Sequence, residues 1–271
     1  MSSKIFDLSG KVSLVSGAAQ GMGKAMAVAL AEAGSDMAIV DLNGEGLSET
    51  ASYIESIGRS VETFTVDVSD VDAIPGIFLR VMENYGRMDF LGNVAGGETV
   101  MGSSEDFKLE DFEKSIKSLV VGRFLMCREA GKIMLNQGSG SIVNIGSIGG
   151  ISSLGRGQIA YQTAMGAVVQ MTRSLATEWA SRGVRVNAIL PAQVLNPGLQ
   201  ERIEETPEVL NTFLSGIPAG RLGNPDDIKG LSVLLASDAA SWITGALIPM
   251  DGGNTALNAG GSYPGSPQVS G

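Results

Sequence analysis

Ser16-Gly17-Ala18-Ala19-Gln20-Gly21-Met22-Gly23 stands between an apolar β-type run at 12–16 and a helical pattern at 23–33 that Gly34 closes. Glycines at 17, 21 and 23 allow a tight turn, close approach of backbone to an anion, and close packing of the following helix. The N-terminus of that helix turns free N–H groups and a positive dipole end toward the same place. Eighteen residues beyond Gly23, Asp41 closes the next β-type run at 36–40. A carboxylate there can accept both hydroxyls of an adenosine ribose and repels a 2′-phosphate. Neither Ala18-Ala19 nor Leu42-Asn43 supplies a cation for such a phosphate, so the pair points to NAD(H) rather than NADP(H).

Outward from this loop the chain alternates. Strand-like runs at 61–66, 88–94, 141–145, 185–190 and 246–250 are separated by helical patterns at 46–57, 70–85, 109–136, 161–182 and 226–236. A loop and short-helix region occupies 195–215. Strict β-α alternation implies parallel strands joined by right-handed crossovers. The expected fold is a single-domain, Rossmann-like, doubly wound parallel sheet of about seven strands with helices on both faces. The domain is expected over 1–253, followed by a Gly/Ser/Pro-rich tail at 254–271 that runs as coil.

Bulk properties narrow the function classes. The chain has 271 residues, 44% of them hydrophobic, and a net charge of −10, with a pI near 4.6 and a mean hydropathy of +0.18. That balance argues against nucleic acid or an anionic membrane as partner, since both require a basic face. There is no histidine, which removes a Ser-His-Asp triad, a His-ligated metal and an imidazole acid/base. Cys127 is the only cysteine, so no intrachain disulfide or thiolate cluster can form; a buried small hydrophobe is its expected role. No metal site is expected. The first ten residues lack an apolar signal core and no apolar run is long enough to span a bilayer; a cytoplasmic location is expected.

Several further stretches, in order, resemble the short-chain dehydrogenase/reductase family over residues 8–253. The Gly-x3-Gly-x-Gly spacing matches its cofactor loop, with Ser16 in place of the usual threonine. Asp67-Val68 matches the adenine-contacting pair, and Asn93-Val94-Ala95-Gly96 the segment beneath the cofactor. Ser141-Ile142-Val143-Asn144-Ile145-Gly146-Ser147 matches the strand that delivers a serine, and Tyr161 follows it by 14 positions. Arg185 to Pro191 and Asp251-Gly252-Gly253 match two later landmarks. The resemblance implies that Tyr161 and Ser147 are the catalytic pair, acting on an alcohol or carbonyl oxygen of a small-molecule substrate. It implies cofactor contacts from Gly17, Gln20, Gly21, Met22 and Gly23, from Asp41 and Leu42, and from Asp67 and Val68. Asn93, Ala95, Gly96, Tyr161, Pro191, Val194 and Asn196 would complete that surface. The resemblance also implies a dimer or tetramer formed through the helices at 109–136 and 161–182.

At two positions the chain departs from the family. A lysine is expected four residues after the tyrosine, and Met165 stands there; no lysine occurs between Lys132 and Lys229. An asparagine is expected on the preceding long helix, and the alignment puts Leu119 in its place. An ordinary tyrosine has a pKa near 10, and a neighbouring cation favours its ionised form. Without that cation Tyr161 suits carbonyl reduction better than alcohol oxidation at neutral pH. The paired loss also fits an NAD-binding relative without catalysis, or non-redox lyase or isomerase work on the same scaffold. Arg156, Gln158 and Gln193 flank the expected substrate pocket, and Arg156 could clamp a carboxylate bidentately.

Overall fold

The computed structural model describes residues 4–96, 100–153 and 157–257. Seven strands form one sheet in the order β3-β2-β1-β4-β5-β6-β7, and every neighbouring pair is parallel. The strands are β1 (Val12–Ser16), β2 (Asp36–Asp41), β3 (Val61–Thr65), β4 (Phe90–Asn93), β5 (Gly140–Ile145), β6 (Val184–Pro191) and β7 (Leu247–Met250). Alternation along each strand divides the core between two faces. Val15, Ile39, Phe90 and Val143 meet α1 (Gly21–Glu32), α2 (Gly44–Ser56) and the helix Lys229–Ala236 on one face. Leu14, Val40, Leu91 and Ile142 meet α3 (Ile74–Tyr85), α5 (Gly122–Gln137) and α6 (Ile159–Trp179) on the other.

The order of strands reverses direction between β1 and β4, and a crevice opens beyond their carboxyl ends at that switch. Ser16, the last residue of β1, holds its two sides together. Its hydroxyl accepts from the amides of Val94 (3.0 Å) and Ala95 (3.1 Å) just after β4.

Two expected elements begin or run differently. The helix expected over 70–85 starts only at Ile74, with Pro75 in its first turn. Asp67 and Asp70 each accept an amide two residues on, from Ser69 and Asp72, and these side-chain turns use the backbone that a longer helix would need. The helix expected over 109–136 is three pieces: α4 (Leu109–Ile116), a π-helical turn (Lys117–Val121) and α5. The wider turn falls where Gly122 passes over the carbonyl of Val68; a Cβ at Gly122 would overlap that oxygen. A further close approach fixes α5 against α6. Gly131 leaves room for the indole of Trp179, the last residue of α6, which is buried. The other tryptophan, Trp242, is 98% exposed.

Cys127 is buried on α5 with no disulfide partner. Burial pushes its thiol up to about 11, against the opposing effect of hydrogen bonds with Asn93 and Asn144 and of the charge on Arg123. Such a thiol is protonated and no nucleophile. Among the described residues no helix is long and apolar enough to cross a membrane. The expected coil at 254–271 lies largely outside the described residues, which reach Leu257.

Candidate functional site

The crevice holds a groove of about 630 Å³ lined by the 17–23 loop, by Asp41 and Leu42, and by Asp67 and Val68. Ala95, Gly96, Lys114, Ser118 and Asn196 line its far side. A second cavity of about 410 Å³ adjoins it and is lined by Ser147, Tyr161 and Met165, by Gln158 and Gln193, and by Pro191 and Val194. Met22, Val94, Gly96 and Asn196 line both, so the two spaces share a wall.

The loop at the head of the groove is shaped by backbone geometry. Gly17 has φ +72°, and its amide donates to the carbonyl of Val40 at 2.7 Å. Gly23 faces the Gly17 carbonyl so closely that a Cβ would overlap it. The first helical bond of α1 runs from the Lys24 amide to the carbonyl of Gln20 (3.1 Å), and Gln20 makes no side-chain cap. The amides of Gly21, Met22 and Gly23 therefore precede the helical ladder, and all three residues line the groove. Asp41 stands at the groove lip with its carboxylate held by two amides, Ala19 (3.0 Å) and Asn43 (3.0 Å).

Ser147 follows β5 and caps a short turn, its Oγ accepting from the Gly149 amide at 3.0 Å. Tyr161 lies in the first turn of α6, and its ring packs on an apolar cluster that contains both Leu119 and Met165. Leu119 is 2% exposed and Met165 1%. The two departures from the family pattern thus pack into one cluster: the polar pair is replaced by an apolar contact. Burying each side chain contributes roughly 1.5–3 kcal/mol to the fold.

Three expectations need correction or completion. The carboxamide of Asn93 does not face the cleft. It is fully buried, donating to the carbonyl of Arg123 (3.0 Å) and to Oδ1 of Asn144 (3.2 Å), so it ties α5 to the sheet. Asn196 lines both spaces, yet its side chain is already engaged. Oδ1 caps α7 (Pro197–Glu205) by accepting from Leu199 (3.0 Å), and Nδ2 donates to Val194 O (3.2 Å). Arg156 lies outside the described residues.

Sequence reasoning missed two arginines that line the second cavity, Arg123 and Arg202. Arg202 is exposed on α7. Arg123 is on α5 and only 3% exposed. Its Nη1 donates to the carbonyl of Ile145 at the end of β5, and its Nη2 to Ala95 O (3.1 Å) and Val94 O (3.5 Å) after β4. The signal that could have found it is spacing: Leu119, Arg123 and Cys127 recur every four residues, which puts an arginine on a buried helical stripe. Among the described residues, the second cavity is lined by two arginines and no carboxylate.

Comparison with known proteins agrees with the architecture. A family model described as enoyl-(acyl carrier protein) reductase matches residues 17–255. The chain is 39% identical over 250 residues to a D-threitol dehydrogenase of Mycolicibacterium smegmatis, covering 92% of this chain and 95% of that protein. A short-chain type dehydrogenase/reductase from Mycobacterium marinum superimposes with a TM-score of 0.87 at 32% identity, covering 94% and 99% of the two chains. Similar solved structures carry either dinucleotide. An NAD+-bound xylitol dehydrogenase has a TM-score of 0.84 at 29% identity, covering 90% of this chain and 98% of that one. An NADP-bound structure from Beutenbergia cavernae, named for gluconate 5-dehydrogenase, has a TM-score of 0.86 at 33% identity, covering 93% and 100%.

Proposed function

The chain belongs to the short-chain dehydrogenase/reductase family, and on that premise we propose that it is an NAD(H)-dependent oxidoreductase interconverting an alcohol and a carbonyl. The observation that carries this reading is the shared wall. Tyr161 and Ser147 line a cavity that meets the glycine-loop groove at Met22, Val94, Gly96 and Asn196. A hydroxyl-bearing substrate in the cavity would lie beside whatever the groove holds.

The groove suits a dinucleotide. The uncapped amides of Gly21, Met22 and Gly23 would receive the pyrophosphate, the close approach of Gly23 to the Gly17 carbonyl, open only to a residue without Cβ, holds the loop in its tight turn, and Asp41 offers acceptors to the ribose diol. The same carboxylate opposes a 2′-phosphate, which supports NAD(H) over NADP(H). A nicotinamide held there would supply or accept the hydride. The protein's residues handle the rest. Ser147 hydrogen-bonds the reacting oxygen while Tyr161 gives it a proton in reduction or takes one in oxidation, balancing the hydride that passes to or from the substrate carbon. Gln158 and Gln193 line the substrate side. Arg202 offers a cation to a substrate carboxylate. Polyols and sugar acids are therefore the substrate classes to test first, in keeping with the names of the threitol and gluconate relatives.

A second reading, a dinucleotide-binding protein without catalysis, is favoured by one observation: Leu119 and Met165 close over the place of the usual polar pair. Titration with NADH and NADPH by fluorescence, followed by a screen of polyols, sugar acids and their ketones for change in nicotinamide absorbance, separates the readings. Binding of NADH with turnover supports the oxidoreductase. Binding without turnover across the panel supports the second reading, and product formed without any absorbance change would mean non-redox chemistry.

A further inference from the structure

We propose that this site selects an acid over a polyol: Arg202 of α7 takes the substrate carboxylate at the end of the cavity away from the groove, and the carbon that reacts is remote from the carboxyl group. This rests on the reading of Tyr161 and Ser147 as the pair at the reacting oxygen. Among the described residues two arginines and no carboxylate line the cavity, and the two are not equivalent. The Nη atoms of Arg123 are engaged by the carbonyls of Ile145, Val94 and Ala95. Arg202 is exposed, and among the described residues it makes no ion pair. Yet α7 also carries Glu201, Glu204 and Glu205. Glu204 accepts from Gln200 instead (3.2 Å). A cation in the last turn of a helix interacts favourably with the helix dipole, but that role asks for no particular direction, and this side chain lines the cavity.

Packing sets that direction. Leu199 and Ile203, one turn apart, seat α7 on the cluster of Phe213, Ile217 and Leu222. Leu199 and Phe213 also line the cavity, and residues three apart share a helix face, so the face that carries Leu199 brings Arg202 to the same wall. Asn196, the N-cap of α7, lines both spaces, whereas Arg202 lines the cavity alone. The helix rises about 9 Å from one to the other. The reacting carbon has to lie at the shared wall, beside the groove, which leaves several bonds between it and an anion held by Arg202. Between these ends the amides of Gln158 and Gln193 can each donate to or accept from a hydroxyl. A guanidinium holds a carboxylate through two parallel N–H···O bonds, a contact no polyol reproduces. Charge separates carboxylate from phosphate. A phosphate monoester brings about −1.5 to −2, and one free guanidinium in a chain of net charge −10 matches the single charge of a carboxylate better.

The test reads binding. Protein loaded with NADH, which cannot oxidise a hydroxyl, is titrated calorimetrically with matched acids and polyols: glycerate and glycerol, threonate and threitol, gluconate and glucitol, with glucitol 6-phosphate beside the last pair. At least one acid should bind about tenfold or more tighter than its polyol and tighter than the phosphate ester. Arg202→Gln should bring acid and polyol within about twofold, leaving polyol affinity in place, and Arg202→Lys should keep part of the preference. Arg80→Gln, whose ion pair with Glu62 lies outside the cavity, should change nothing. Thermal unfolding checks that each variant is folded. No acid that outbinds its polyol overturns the proposal, as does a preference that survives Arg202→Gln or a phosphate ester that binds tightest. With NAD+ in place of NADH, NMR of the product from the best acid locates the new carbonyl. A carbon beyond C2 is expected, and a 2-oxo acid overturns the placement. A chain that binds no NADH and oxidises nothing would sink the functional reading, and the acid titrations repeated without cofactor would still decide the role of Arg202. Turnover of polyols alone, unmoved by Arg202→Gln, would sink the acid and leave the reading standing.

Discussion

At the scale of the residue, Tyr161 and Ser147 are separable by their expected losses. Tyr161→Phe removes the proton carrier and should lower kcat/KM by about 100-fold or more, with NADH binding intact. Ser147→Ala should cost less, since it removes one hydrogen bond to the reacting oxygen, and it also frees the Gly149 amide. A tyrosine variant with wild-type rates would remove Tyr161 from the mechanism. Restoring the family's lysine is the more informative change. Met165→Lys buries an ammonium among Leu119, Ala164 and Val168, in a cavity that, among the described residues, Arg123 and Arg202 line and no carboxylate does. It should destabilise by about 2 kcal/mol or more and not raise kcat, measured by urea unfolding and initial rates. A stable, faster variant would mean that the position has simply lost a useful charge. Met165 and Leu119 were legible as departures because flanking landmarks fix their positions. Arg123 was legible only through its four-residue spacing from Leu119 and Cys127, because an arginine on an amphipathic helix otherwise reads as solvated until the helix is turned against the sheet. Asn93 misled for the same reason: its place in the motif was plain, but the direction of its carboxamide depends on Asn144 and on the backbone of α5.

At the scale of the element, the segment from α4 through the π-helical turn to α5 decides where Arg123 points. An extra residue in one turn rotates everything that follows by about 100°, so the register of α5 on the sheet depends on that turn. Gly122→Ala would force the turn away from the Val68 carbonyl, displacing α5 and the Asp67-Val68 side of the groove together. The expected result is a loss of about 2 kcal/mol in stability and weaker NADH binding, read by thermal unfolding and fluorescence titration. Unchanged stability would show that the turn yields without cost. None of this was visible in the sequence over 109–136, where each residue is compatible with an ordinary helix. The seven strands were legible because their apolar runs alternate with helical patterns throughout. Their ends shifted by a residue or two, and α3 begins four residues late because side-chain turns at Asp67 and Asp70 hold the backbone ahead of it.

At the scale of the molecule, the absence of histidine has a thermodynamic consequence. Buried Cys127 is held far above neutrality, so no side chain with a resolved shift titrates between about pH 5 and 8. Several carboxylates have folded values below their ordinary ones. Hydrogen bonding from Arg221 lowers Asp227. In Glu129 and Asp251 burial acts upward but is outweighed, by Lys132 and Arg128 in one and by hydrogen bonds from Thr255 and Gly253 in the other. A lowered carboxylate contributes stability that is present above its unfolded value and lost as pH falls through the folded one. With ordinary values of 4.5 for the glutamate and 3.8 for the aspartates, the unfolding temperature should be flat from pH 8 to about 5 and fall below about 4.5. A pronounced slope near neutrality would point to a coupled group that these residues do not explain.

The two tryptophans give the chain a built-in optical contrast. Trp179 ends the helix that begins at Tyr161 and is wedged over Gly131 of α5, while Trp242 stands almost wholly in water. A soluble quencher such as acrylamide will extinguish the red-shifted emission of Trp242 and leave a blue-shifted remainder. That remainder comes from the seam between the helix that carries the tyrosine and the helix that carries the arginine. Any ligand that shifts one helix against the other therefore announces itself in the light that survives quenching, with no label attached.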